Sequence, residues 1–205
     1  MIDILNESEQ VRRSVTDQGQ TKQVTLTRTY DTSVEDLWDA CTNPERLTQW
    51  FEPIDGDLRE GGRYRLGSSG TSGTIEHCSA PNRLQITWEY EGDVSTVDVV
   101  ITDNDRRATL SLTHTVPDNE HWRTYGPGAA GVGWDSSFLA LGLHLAGDHR
   151  AHPTELEKVF ATPGGAVHVR RLADSWAEAH TDCGTDSADA HTMADRAVAA
   201  YASMQ

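Results

Sequence analysis

The chain is poor in the residues that most often announce a function. Its three cysteines, Cys41, Cys78 and Cys183, fall at no paired spacing. That argues against a disulfide framework or a cysteine metal site and points to reduced thiols in a cytoplasm. Lysine is scarcer still, with Lys22 and Lys158 alone beside fifteen arginines. Set against 32 acidic residues, these leave a formal net charge of −15. Nucleic acids and anionic lipid surfaces draw their affinity from clustered Lys and Arg, so neither is expected as a partner. No run approaches the roughly 20 apolar residues that span a bilayer. The opening Met1 to Glu7 has neither the basic region nor the apolar stretch of an export signal. The acidic residues are dispersed, which suits solubility. The expectation is a cytoplasmic protein.

What is present is an orderly series of periodic segments. With 205 residues, one domain with a sizeable core plus appendages can form. Residues 2–15 read as a short amphipathic helix with Ile2, Leu5, Val11 and Val15 as contacts, and Gln18-Gly19-Gln20 ends that segment. Val24, Leu26 and Tyr30 then alternate with Thr25, Thr27 and Thr29, the period of a half-buried strand, with Arg28 interrupting the apolar face. Ser33 is placed to accept from the amide of Asp36, whose carboxylate can answer back as in a capping box. Leu37, Cys41 and the Val34/Trp38 pair sit at helical spacing, and Pro44 presets a second short helix that ends in Trp50-Phe51.

From Arg63 onward, strands alternate with turn signals at Gly67 to Gly73, Pro81-Asn82, Gly92-Asp93 and Asp103-Asn104-Asp105. Short turns between such strands imply antiparallel hairpins with one apolar and one wet face. Trp134, Phe138, Leu141 and Leu145 form a single helical stripe that can cover the apolar face, and Gly147 is a natural stop. Beyond it, Thr154 to Phe160 reads as a short helix and Thr162-Pro163-Gly164-Gly165 as a hinge-like linker. Ala173 to His180 and Ala188 to Met204 read as two Ala-rich helices, packing on the domain or on a second copy as a homodimer. Their stripes are Leu172, Trp176 and Ala179, and Met193, Ala197, Ala200 and Met204.

The fold class read from this order is α+β: a curved antiparallel sheet gripping a long C-terminal helix, with an added C-terminal helical hairpin. The division is 1–20 as an N-terminal helical segment, 21–147 as the principal domain, and 148–205 as linker and helical extension.

Motifs that carry chemistry are few. Gly126-Pro127-Gly128-Ala129-Ala130-Gly131 satisfies the letter of the dinucleotide fingerprint, but it follows hairpin strands instead of opening a parallel βαβ unit. Its glycines are expected to let the loop approach the sheet. His144, His149 and His152 straddle a helix end and a turn, so they are not expected to converge on a metal, and His144 suits the helix dipole. Ser136-Ser137 lacks an evident base, and Cys41 reads as a small buried apolar side chain. No cofactor and no metal are expected.

The segment Thr27 to Phe51 resembles the opening of the START-like, or helix-grip, superfamily. Asp57-Leu58-Arg59-Glu60-Gly61-Gly62-Arg63-Tyr64, Pro81 to Trp88 and Gly131-Val132-Gly133-Trp134-Asp135 extend the resemblance. The nearest branch is the one named for homologues of the heat-shock ATPase activator, and the resemblance runs from about Lys22 to Gly147. It implies a cavity between sheet and helix that holds a small, largely hydrophobic ligand, aromatic or acyl. It also implies two alternatives: a cyclase- or dehydratase-like activity on a polyketide-like substrate, with His114 and Tyr90 as acid/base candidates, or a chaperone-associated role. The candidate lining residues are Trp50, Phe51, Tyr64, Trp88, Tyr90, His114, Trp134, Phe138 and Leu141. The polar tips among them, His114 above all, are expected to orient the ligand and to make binding pH-sensitive near neutrality.

Overall fold

A computed structural model describes residues 4–203. Eight strands form one antiparallel sheet in the order β1-β2-β8-β7-β6-β5-β4-β3, and eight α-helices accompany it among the described residues. The Thr/Val alternation becomes β2 (Thr21–Tyr30). The hairpins become β3 (Ile54–Gly56), β4 (Arg63–Leu66), β5 (Ser72–Ser79), β6 (Arg83–Tyr90), β7 (Asp93–Asn104) and β8 (Arg107–Pro117). Register sets Val97 opposite His114, Val99 opposite Leu112 and Ile101 opposite Leu110, so one face of β7 and β8 turns to the core.

The first segment departs from expectation. The helix α1 spans only Ile4–Glu9, and Arg12–Asp17 is an edge strand, β1, paired antiparallel with β2. Val11 and Val15 are buried, but from extended chain. Ile2 and the side chain of Leu5 lie outside the described residues.

Between β2 and β3 lie α2 (Val34–Thr42) and α3 (Pro44–Trp50). Ser33 Oγ accepts from the Asp36 amide at 3.2 Å as expected. The Asp36 carboxylate does not reach back. It accepts instead from Thr32 Oγ1 at 2.5 Å and from Arg46 at 2.7 Å.

After β8 the chain forms α4 (Glu120–Tyr125), an element absent from the sequence reading, and then the long α5 (Gly128–Leu145). Gly147, at φ +71°, closes α5 with Gly147 N donating to His144 O at 3.0 Å and Asp148 N to Leu143 O at 2.9 Å, a Schellman ending. A single 3₁₀ turn at His149–Ala151 leads to α6 (Pro153–Phe160), α7 (Pro163–Asp182) and α8 (Ser187–Ser203). The stretch expected as a hinge is a helix start: Thr162 caps α7 by accepting from Gly165 N at 3.1 Å, and Pro163 occupies its first turn. Leu172, Trp176, Ala179 and Ala197 are buried as their stripes require, while Met204 lies outside the described residues.

The C-terminal helices pack on their own chain, α7 against α5 and β1, α8 against α7. The glycines of the false dinucleotide motif face these helices instead of the sheet. A Cβ on Gly131 would come within 2.3 Å of the Trp176 ring, and one on Gly128 within 3.1 Å of Ala197.

One buried ion pair ties β1 to α5, and a second ties α1 to β2. Asp135, 2% exposed, receives Arg13 Nη2 at 2.7 Å and Trp176 Nε1 at 2.7 Å. Burial pushes its carboxyl up, against the pull of the Arg13 guanidinium. Arg28, the interruption in the β2 alternation, is buried over the Tyr30 ring, 4.6 Å from its centroid, and pairs with Glu7 of α1. Gly142 of α5 makes the space for that guanidinium, since a Cβ there would meet it at 2.9 Å.

Candidate functional site

The concave face of the sheet is capped by α5, while α2 packs on β7 and β8, and α3 on α5 and β3. The four elements leave two apolar chambers between them. The smaller, about 60 Å³, lies under α5: Trp134, Phe138 and Leu141 form its roof, Leu110 and Leu112 its floor, and Trp38 and Trp50 its wall. The larger, about 140 Å³, lies toward the β3–β5 end, between Phe51, Tyr64, Ile75, Ile86 and Trp88. Cys41, Thr42 and Leu84 line both, so the two adjoin at one neck.

Local sequence explains these positions. Period two on β6 sends Leu84, Ile86 and Trp88 to the same face. The α2 spacing Trp38, Cys41, Thr42 presents one side of a helix to the sheet. Phe51 at the end of α3 stacks on Trp134, ring centroids 6.4 Å apart and 13° from parallel, and Trp88 meets Trp134 edge-on at 5.2 Å.

Of the nine residues singled out from sequence, seven line a chamber: Trp50, Trp134, Phe138 and Leu141 the smaller, Phe51, Tyr64 and Trp88 the larger. Two do not. Tyr90 closes β6 and is 48% exposed, so it leaves the interior despite sharing the face of Trp88. His114 is buried at 6% exposure yet lines neither chamber.

His114 instead sits behind the aromatic wall in a hydrogen-bond chain whose direction is fixed by chemistry. Trp134 Nε1, a donor only, lies 3.0 Å from His114 Nδ1, which must therefore accept. The proton of the neutral ring is then on Nε2, donated to Ser95 Oγ at 2.8 Å. Ser95 Oγ in turn donates to the Trp88 carbonyl at 3.1 Å. Burial pushes the His114 pKa down to about 4. The ring is neutral near pH 7, which corrects the expectation that it titrates there and orients a ligand. Ser95 was missed in the sequence, although counting back by twos from Val97 and Val99 places it on the inner face.

The other polar tips are also held by protein. Tyr64 OH donates to Thr87 O at 2.7 Å and Trp50 Nε1 to Ala40 O at 3.0 Å. Thr42 Oγ1 and Ser137 Oγ donate one helical turn back, to Trp38 O at 2.8 Å and Gly133 O at 3.1 Å. Burial pushes the Cys41 thiol up to about 12, so it stays protonated. Leu84, Ile86, Ile75, Trp38, Cys41 and Thr42 also belong to the lining, beyond the nine residues expected from sequence. The alternation on β6 and the helical spacing on α2 were the signals for most of them.

No group of three or more His, Cys, Asp or Glu is placed to hold a metal among the described residues. His144 stands in the last turn of α5, where its ring accepts from Arg46 Nε at 3.3 Å, and burial together with that guanidinium lowers its pKa. Among the described residues no helix is long and apolar enough to cross a membrane.

Comparison with known proteins accords with this architecture. A family model described as Activator of Hsp90 ATPase homolog 1-like protein matches residues 31–146. Among solved structures, the crystal structure of CalU16 from Micromonospora echinospora is 28% identical, covers 82% of this chain and 97% of its own, and superposes with a TM-score of 0.68. Its solution structure covers 85% and 97%, also at 28% identity, with a TM-score of 0.71. PFC0360w, an HSP90 activator from Plasmodium falciparum, is 25% identical over 63% of this chain and 97% of its own, with a TM-score of 0.52. EF2215 from Enterococcus faecalis, 15% identical over 89% and 96%, shares the fold with a TM-score of 0.61. No curated protein matches by sequence.

Proposed function

This chain belongs to the family of Activator of Hsp90 ATPase homolog 1-like proteins, and we propose that it is a binding protein for a small, largely apolar molecule, aromatic or acyl, held between the sheet and α5. The observation that carries the proposal is the pair of adjoining chambers walled by aromatic and aliphatic side chains, in the position where the fold is hollow. The larger is close to the roughly 150 Å³ that accepts benzene in an apolar protein cavity. A guest hiding roughly 200 Å² of apolar surface gains about 5 kcal/mol gross. Part of this is offset by immobilisation, so affinities from high micromolar to millimolar are expected for single-ring probes.

The enzymatic alternative named His114 and Tyr90 as acid and base. Neither faces a chamber, and the one thiol at the neck is held protonated, so binding is the better supported reading. A chaperone-associated role would use an outer apolar surface. The exposed large apolar residues, Leu58, Tyr90, Val94 and Val167, are spread over a loop, one hairpin and α7.

The test is isothermal titration of small aromatic and fatty-acid panels into the wild type and Leu141→Trp, whose indole fills the smaller chamber. The wild type should bind at least one panel member, and the variant should bind it at least about tenfold more weakly. Equal affinity in a folded variant would remove the smaller chamber from the site, and no binding by the wild type would remove both.

A further inference from the structure

We infer that the guest is an uncharged molecule one aromatic ring wide with a short apolar tail, entering tail first, so that any polar substituent stays at the outer end of the larger chamber. The inference rests on the binding reading above and narrows it from "aromatic or acyl" to molecules without an acidic head inside.

The walls lack charge. Neither chamber is lined by a Lys, Arg, His, Asp or Glu side chain. The nearest hydroxyls aim their protons elsewhere, Thr42 and Ser137 at carbonyls of the preceding turn and Tyr64 at Thr87. A carboxylate carried inside would lose its water and meet no cation, and an unpaired buried charge is the costliest group a protein interior can hold. The chain's net charge of −15 adds a long-range bias against anions.

Direction follows from exposure. None of the smaller chamber's lining residues is exposed. The larger chamber is bounded by Leu58, 39% exposed, and by the exposed Cys78, so solvent reaches it from that side. At this end Glu60 Oε2 accepts from the Cys78 amide at 2.9 Å and lies 3.4 Å from His77 Nδ1. The larger chamber has the volume of one ring, and the smaller, past Cys41, has room for a few methylene carbons.

Three probes of one shape test this by isothermal titration on the intact protein: propylbenzene, 4-propylbenzoate and 4-(2-carboxyethyl)benzoate. Propylbenzene should bind, and 4-propylbenzoate should bind within about tenfold of it, with its carboxylate left at the mouth. The diacid must carry a charge past Cys41 and should bind at least about 100-fold more weakly than propylbenzene. A diacid within about tenfold of propylbenzene overturns the inference while leaving the binding site intact. Loss of both acids refutes the tail-first orientation and keeps the uncharged class. Failure of all three to bind removes the chambers as a site and the inference with them.

Discussion

Replacing His114 with phenylalanine should change how stability depends on pH in a way no other reading of this residue anticipates. The folded ring is held neutral by burial, with a pKa near 4, against about 6.5 in an unfolded chain. Below pH 6.5 the unfolded chain takes up a proton that the folded one refuses. Stability from this group is therefore complete above about pH 6.5, declines as pH falls, and levels off below about 4. At pH 4.5 the loss works out at about 2.5 kcal/mol, a large part of the roughly 5–15 kcal/mol that holds a domain folded. The phenylalanine variant has no such loss. At pH 7 it is instead weaker by about 1–3 kcal/mol, because the Trp134 indole N–H is left without its acceptor. Urea unfolding followed by circular dichroism at pH 7 and pH 4.5 should show the two proteins well separated at neutrality and nearly equal in acid. His144, His168 and His180 also have lowered pKa values from burial, so the comparison with the variant, and not the wild-type slope alone, isolates His114. A variant as pH-sensitive as the wild type would refute the hydrogen-bond chain.

Two further outcomes follow from buried groups elsewhere. Asp135→Asn leaves the Arg13 guanidinium, 9% exposed, without its counter-charge, and should cost about 3–5 kcal/mol in urea unfolding; a near-native midpoint would mean that this pair does not fasten β1 to α5. Under a thiol-specific maleimide at pH 7.5, the exposed Cys78 should react while Cys41, held protonated at the chamber neck, reacts only when the protein is unfolded; native labelling of Cys41, read by peptide mass spectrometry, would contradict its placement.

The parts of the fold that could be read from sequence are those whose signal is local. Ser33 and Asn43 cap α2 and α3 within three residues of themselves, and the Trp134-Phe138-Leu141 stripe carries its own periodicity. β1 was misread because the charged Arg12 and Arg13 obscured the alternation of Val11, Arg13 and Val15. The reason Arg13 faces inward, Asp135, lies 122 residues away. The same distance problem governs the site. Period two assigns Tyr90 and Trp88 to one face but cannot say where the covering elements end, so Tyr90 was placed inside and emerges outside. For His114 the alternation correctly implied burial. Whether its ring edge meets a ligand or protein depends on Trp134, Ser95 and the rotamers of all three, which no spacing encodes.

The central claim, a small guest between sheet and α5, is tested most directly by soaking crystals in bromobenzene and locating bromine by its anomalous signal. One peak is expected within the space bounded by Phe51, Ile86, Leu84 and Trp88, absent in a folded variant whose larger chamber is filled by the indole of Leu84→Trp. A peak confined to the protein surface, or none at saturating probe, would contradict it.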